Sequence, residues 1–171
     1  KRSPGLTEDE KRRIAEVVGI GAIKYALISV SPLKQVVFKW ENVLSFERNS
    51  APFIQYAHAR AFNILAKAGA IARDAKPYKG YIQDSIERDL IILLSKFPDV
   101  ISEAADKLRP DLLAEYANNL ALLFNSFYDK LPVLRARPKE LMLTRLWIVK
   151  IVQIVLKNAL NLLGIEAPKR M

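Results

Sequence analysis

The chain has 171 residues, is 51% hydrophobic and contains no cysteine and one histidine. That is enough for one folded domain with a real core, and it excludes disulfides, thiolate zinc sites, cysteine nucleophiles and, on the usual patterns, a His-based metal site or Ser-His-Asp relay. The net charge of +9 is uneven: nine basic side chains against two acidic ones fall from Lys130 onward, pointing to a polyanionic partner, foremost nucleic acid, with a solvated lysine-rich helix face as the competing reading.

In chain order, Thr7 with Glu10 three residues later has the form of a capping box and predicts a short helix. Gly19 and Gly21 interrupt or tighten it before IKYALI continues the pattern, and Ser31 and Pro32 break it off. Residues 1–30 are therefore read as a lead-in, outside the core of a main domain spanning 31–171. A start at Lys1 rather than Met reads as a chain cut from something longer. VVFKW, Val36 to Trp40, is β-prone and reads as extended, but a single short strand has nothing to pair with. ENVLSF reads as a short helix or turn.

Asn49 or Ser50 caps the next predicted helix, with Pro52 in its first turn; the helix runs to about Ala68 and Gly69 ends it. Asp74 to Gly80 is a polar loop. Ile82 to Ser95 carries Ile86, Leu90, Leu93 and Leu94 at helical spacing. Pro98 starts a short helix that stops before Pro110. Asp111 to Lys130 places Leu112, Leu113, Tyr116, Leu120, Leu123, Phe124 and Phe127 along one stripe. Pro138 opens the last long helix and Gly164 closes it. That helix is apolar on most sides, through Leu146, Trp147, Ile151, Ile154, Val155, Leu160 and Leu163, so it belongs at the centre of a bundle. With no βαβ unit and no internal repeat, the fold class is all-α.

Chemistry is scarce. Gly19 and Gly21 lack the third glycine and the preceding strand of a phosphate-binding loop. The carboxylates are scattered, and His58 has no evident partner to orient it. The longest apolar runs are too short for a bilayer. Binding is the better expectation. In APFIQYAHAR, Tyr56 and Arg60 stand one helical turn apart. Either Arg60 covers a half-buried Tyr56, as in ordinary cation–π packing, or the pair is a stacking platform with a donor beside it. Tyr128 poses the same choice at the end of its helix. The residues alone leave both open.

A resemblance bears on the choice. VVFKWENVLSFERNSAPFIQYAHAR, Val36 to Arg60, resembles the start of the anticodon-binding domain of arginyl-tRNA synthetase. VVGIGAIKYALIS resembles the link leaving that enzyme's catalytic domain. LAEYANNLALLFNSFYDKLPVL is similar to the helix and exit loop of the helical domain that several class I synthetases share. LTRLWIVKIVQIVLKNALNLLGIEAPKRM resembles the family's last helix and closing Arg-Met. The resemblance covers essentially the whole chain and implies a helical bundle of the class I synthetase anticodon-binding type, with residues 1–30 as the helical link. It places anticodon contacts on Tyr56, Arg60 and Tyr128, and on Met171, whose side chain and carboxylate would end near the anticodon loop. It implies the anticodon stem-loop of tRNA(Arg) and the catalytic domain of the same chain as partners, a cytoplasmic setting and no membrane. Arg135, Arg137 and Lys169 are candidate RNA-backbone contacts on local charge, not on the family.

Two departures stand out. The exit loop LPVLRARPKE is more basic than in many relatives, and ERNS replaces the glycine-containing turn often seen after Leu-Ser-Phe-Glu. The family's ATP signatures, of the His-Ile-Gly-His and Lys-Met-Ser-Lys kinds, are missing from these residues. No catalytic residue, metal ligand or cofactor is assigned to this chain, whereas the resemblance implies ATP and magnesium for the parent enzyme. The rival expectation is a helical protein-interaction module, or a synthetase paralogue that does not bind tRNA.

Overall fold

The computed structural model describes residues 5–47 and 49–171; Lys1 and the rest of the first four residues, and Arg48 of the ERNS turn, lie outside the described residues. Seven α-helices follow in order: α1 Glu8–Ile28, α2 Trp40–Val43, α3 Ala51–Ala68, α4 Ser85–Ser95, α5 Phe97–Asp106, α6 Pro110–Lys130 and α7 Lys139–Leu162, with a 3-10 turn at Gly69–Asp74 after α3. Among the described residues there is no strand. The all-α expectation holds.

Local signals act where they were read. Thr7 and Glu10 form the reciprocal capping box of α1. Ser50 caps α3 by accepting from Phe53 N at 3.2 Å, and its own hydroxyl donates to Ser45 O, closing the turn ahead of the helix. Asn49 takes φ +52°, a left-handed conformation that asparagine tolerates better than most residues, just ahead of the helix cap. Gly164, at φ +67°, follows α7 as the chain reverses.

The core forms around α3 and α7, with α6 against both and α4 and α5 against α6. Ala57, Ala59 and Ala61 are buried on α3; small side chains let neighbouring backbones approach closely. Helix α7 buries Leu146, Ile148, Val149, Val152, Leu156 and Leu160, as a helix apolar on most sides should, although Ile154 is exposed. On α6, Phe124 and Phe127 are fully buried and stack with centroids 6.2 Å apart.

Two expectations are corrected. Helix α1 runs unbroken through both glycines. A Cβ at Gly21 would lie 3.0 Å from Gln55 Nε2 and 3.0 Å from Ile165 Cγ2, so its missing side chain seats α1 close against α3 and the C-terminal tail. Nor does all of residues 1–30 stay outside the core. Tyr25 is buried in the main cluster, its hydroxyl 3.2 Å from Ala114 O and 3.3 Å from Asn49 Oδ1. Burial pushes its phenol well above the ordinary tyrosine range.

The C-terminal charge excess is also smaller at the surface than it is in the sequence. Arg145 is buried, its Nε 2.6 Å from Glu87 Oε1 and its Nη1 donating to Pro132 O at 2.8 Å. Glu87 Oε2 accepts from Gln83 N and Asp84 N at the start of α4. This cation ties α7 to α4 and the exit loop instead of facing a partner.

Candidate nucleic-acid interface

Helix α3 has a buried side and an open one. Ile54, Ala57, His58 and Ala61 face inward, while Tyr56, Asn63 and Lys67 are exposed with Arg60 half-buried among them. The 56–60–63–67 spacing is a single helical stripe. The last turns of α6 bring Asn125, Tyr128 and Asp129 alongside.

The two tyrosines bracket one cation. The Arg60 guanidinium carbon lies 4.9 Å from the Tyr56 ring centroid and 4.4 Å from that of Tyr128. Its Nη1 donates to Asn125 Oδ1 at 2.8 Å and stands 3.9 Å from Asp129 Oδ1. The other guanidinium nitrogens take no hydrogen bond among the described residues. Tyr56 is 41% exposed and Tyr128 43%, so each ring is anchored yet open to solvent. Phe46 meets Tyr56 edge-on at 6.4 Å. A cleft of about 190 Å³ runs between these groups, bordered by Asn63, Lys67 and Met171. It is smaller than a drug-sized pocket and suits one flat ring.

The sequence candidates separate here. Tyr56, Arg60, Tyr128 and Met171 all line this one cleft. Arg135 borders the adjoining groove, which shares Ile64, Lys67 and Tyr128 with it. Arg137 is exposed but lines neither. Lys169 also lies away from the cleft, its Nζ 5.6 Å from the Phe62 ring centroid. Asn63, Lys67 and Asn125 were missed. The stripe spacing could have found the first two, but only the packing of α6 on α3 reveals Asn125.

Met171 reaches the cleft because the tail before it is strapped down. Lys24 Nζ donates to Gly164 O at 2.6 Å, and Gln55 Nε2 to Glu166 O at 2.8 Å. His58 lies 3.0 Å through Nδ1 from Pro168 O and 2.8 Å through Nε2 from Gln153 Nε2. A carbonyl can only accept and an amide nitrogen can only donate, so the ring is neutral, with its proton on Nδ1. Burial lowers its pKa, and the nearby Lys157 acts in the same direction, against the Pro168 hydrogen bond. His58 thus latches the C-terminal tail to α3 and α7.

The pH consequence has a definite sign. The unfolded chain takes up a proton near the ordinary histidine pKa of about 6.5, while the folded ring resists until lower pH. The stability from this group is present above about 6.5 and lost as pH falls from there through the lowered folded value. Thermal unfolding followed across that window should show the loss in the parent chain and a flatter profile in His58→Asn; identical profiles would count against the latch.

Among the described residues, no group of three or more His, Asp or Glu side chains could hold a metal ion, and no helix is long and apolar enough to cross a membrane. The buried carboxylates of Glu87 and Asp111 are already paired, with Arg145 and Arg109.

Comparison with known proteins gives a consistent result. The model of the DALR anticodon binding domain matches residues 54–171. Over its full length the chain is 51% identical to the arginine–tRNA ligase of Pyrococcus abyssi, covering 28% of that protein, and 47% identical to that of Thermococcus sibiricus, covering 27%. The chain therefore spans little more than a quarter of these relatives' length. Among solved structures, Thermus thermophilus arginyl-tRNA synthetase superposes with a TM-score of 0.89 at 35% identity, over all of this chain and 29% of that one. The Plasmodium falciparum enzyme, at 24% identity and a TM-score of 0.80 over 93% of this chain, shares the fold.

Proposed function

Because the chain belongs to the DALR anticodon-binding domain family, in the form found in arginyl-tRNA synthetases, we propose that it reads the anticodon stem-loop of tRNA(Arg) as the C-terminal part of an arginine–tRNA ligase. Residues 31–171, with the core-forming half of α1, carry the reading surface, and the residues before them link it to a catalytic domain. That parent works in the cytoplasm and joins arginine to its tRNA using ATP and magnesium. No step of that reaction is assigned to the residues of this chain.

The observation that carries the reading is the Tyr56–Arg60–Tyr128 bracket beside an open cleft. Arg60 occupies the space between the rings, so a turned-out base stacks on the outward part of a tyrosine face. Base–aromatic stacking is worth roughly 1–3 kcal/mol per base. The guanidinium N–H groups not spent on Asn125 serve a base edge or phosphate, a role for which a planar cation held by a neighbour is suited. Met171 closes one side. Lys67 and Arg135 add attraction for phosphate that falls with salt and ignores sequence.

Filter binding at two salt concentrations tests this, using tRNA(Arg) and the same tRNA with a scrambled anticodon. Both affinities should fall as salt rises, and the cognate RNA should keep its advantage at each. Weak binding that is insensitive to salt and to the anticodon would favour a paralogue that has left tRNA behind.

A further inference from the structure

The loop after α3 makes a second opening, outside the cleft at Tyr56 and Tyr128. Residues 73–78 face the first turns of α7 across a groove of about 550 Å³, lined by Arg73, Asp74, Lys76, Tyr78, Lys139 and Glu140. The loop is pinned in place. Thr144, fully buried on α7, accepts from Tyr78 N at 3.1 Å and donates its own proton to Glu140 O at 2.8 Å. Gln83 Nε2 holds Gly80 O at 2.8 Å, and the Lys76 ammonium stands 5.1 Å from the Tyr78 ring centroid. The 3-10 turn ahead of the loop also packs against α7. A groove walled in this way is formed before any ligand arrives, so binding has little backbone left to order.

Its charge is uneven and unspent. Arg73, Lys76, Lys79, Arg137 and Lys139 are exposed in these two segments, against Asp74 and Glu140, and among the described residues none of the five cations forms an ion pair. Cations left unpaired beside two carboxylates suit a ligand that brings its own negative charge. Both walls continue the walls of the tRNA cleft. Lys67, at the cleft, stands six residues before Arg73, on the order of 12 Å at a 3-10 rise. Arg135, in the adjoining groove, stands four residues before Lys139. RNA with a base stacked at Tyr56 or Tyr128 therefore carries its flanking backbone towards this groove. The mixed lining fits RNA in particular, because phosphates pair with the cations while ribose 2′-hydroxyls donate to carboxylates.

We propose that this groove is a second RNA site, holding the ribose–phosphate backbone of the anticodon stem where it meets the loop. Arg73, Lys76 and Lys139 pair with phosphates, and Asp74 and Glu140 accept from ribose hydroxyls. This rests on the reading of the chain as a binder of the tRNA anticodon arm. It goes further in dividing the work: the groove supplies affinity and register without reading sequence, and the cleft supplies discrimination.

The test is the salt dependence of tRNA binding. One variant carries Arg73→Gln, Lys76→Gln and Lys139→Gln; a control carries Lys11→Gln, Lys96→Gln and Lys107→Gln, which remove the same charge away from the cleft and both grooves. Each phosphate contact contributes about 0.7–0.9 to the slope of log affinity against log salt. The groove variant should lose about two units of slope and bind tRNA(Arg) and the scrambled-anticodon tRNA more weakly by the same factor, whereas the control should lose less than about half a unit. Neither melting temperature should change, since all six side chains are exposed. Ethylation of single phosphates in tRNA(Arg) gives a readout that needs no variant. At stem phosphates beside the loop it should impair binding to the unsubstituted chain, and it should cease to matter in the groove variant. Equal slopes in the groove variant and the control reduce the effect to net charge and overturn the proposal, as does interference confined to the loop. A groove variant that keeps its slope on tRNA but loses binding to poly-glutamate would assign the groove to an acidic protein segment, which also overturns it. Slope loss with no anticodon preference in the unsubstituted chain keeps the groove and defeats the anticodon reading, while preference with an unchanged slope does the reverse.

Discussion

Replacing Glu87 with alanine should cost about 3–5 kcal/mol of folding stability, the usual penalty for removing one partner of a buried ion pair. Arg145 would keep its contact with the Pro132 carbonyl but face the vacated site with an uncompensated charge. The start of α4 would also lose the acceptor that takes the N–H groups of Gln83 and Asp84. For a chain of this size the melting temperature should drop on the order of 10 °C. Urea denaturation of Glu87→Ala, Arg145→Met and the double variant forms the check. The double variant should recover much of the loss, because two apolar side chains leave no buried charge. A loss below about 1 kcal/mol in Glu87→Ala, the range of exposed pairs, would mean that water reaches this pair.

Tyr56→Ala should weaken binding of tRNA(Arg) by about 1–3 kcal/mol, roughly 5- to 150-fold, with a smaller loss for the scrambled anticodon. The variant removes a stacking face and one of the two rings that steady Arg60, while Asn125 and Tyr128 continue to hold the guanidinium. Tyr56→Phe keeps the ring and should retain most of the discrimination, since the Tyr56 hydroxyl makes no hydrogen bond among the described residues. Circular dichroism should be unchanged, because a ring 41% exposed contributes little to the core. Equal losses for both RNAs would leave Tyr56 as a packing residue and remove the basis for reading the cleft as an anticodon receptor.

The two predictions concern cations that the sequence alone could not tell apart. Arg60 and Arg145 both sit on amphipathic helices among apolar neighbours. One ends between two open rings and the other beneath the surface against Glu87, which lies 58 residues away. Counting charge along the chain placed Arg145 in the basic surface; the packing of α4 on α7 takes it out. Lys169 and Arg137 are similar cases, basic and exposed but not at the cleft.

What the chain determines by itself is the set of helices and their ends. Ser50 and Pro52 start α3, Gly69 stops it, and Pro138 and Gly164 bracket α7, because capping and glycine conformations act within a few residues. The Tyr56–Arg60 pair was legible for the same reason, being one turn of one helix. Its meeting with Tyr128 and Met171, the burial of Tyr25, the role of His58 as a latch and the groove between residues 73–78 and α7 were decided only by tertiary structure. Each depends on which helix faces are pressed together across long stretches of chain, and that choice follows from burying one shared apolar core rather than from any local pattern.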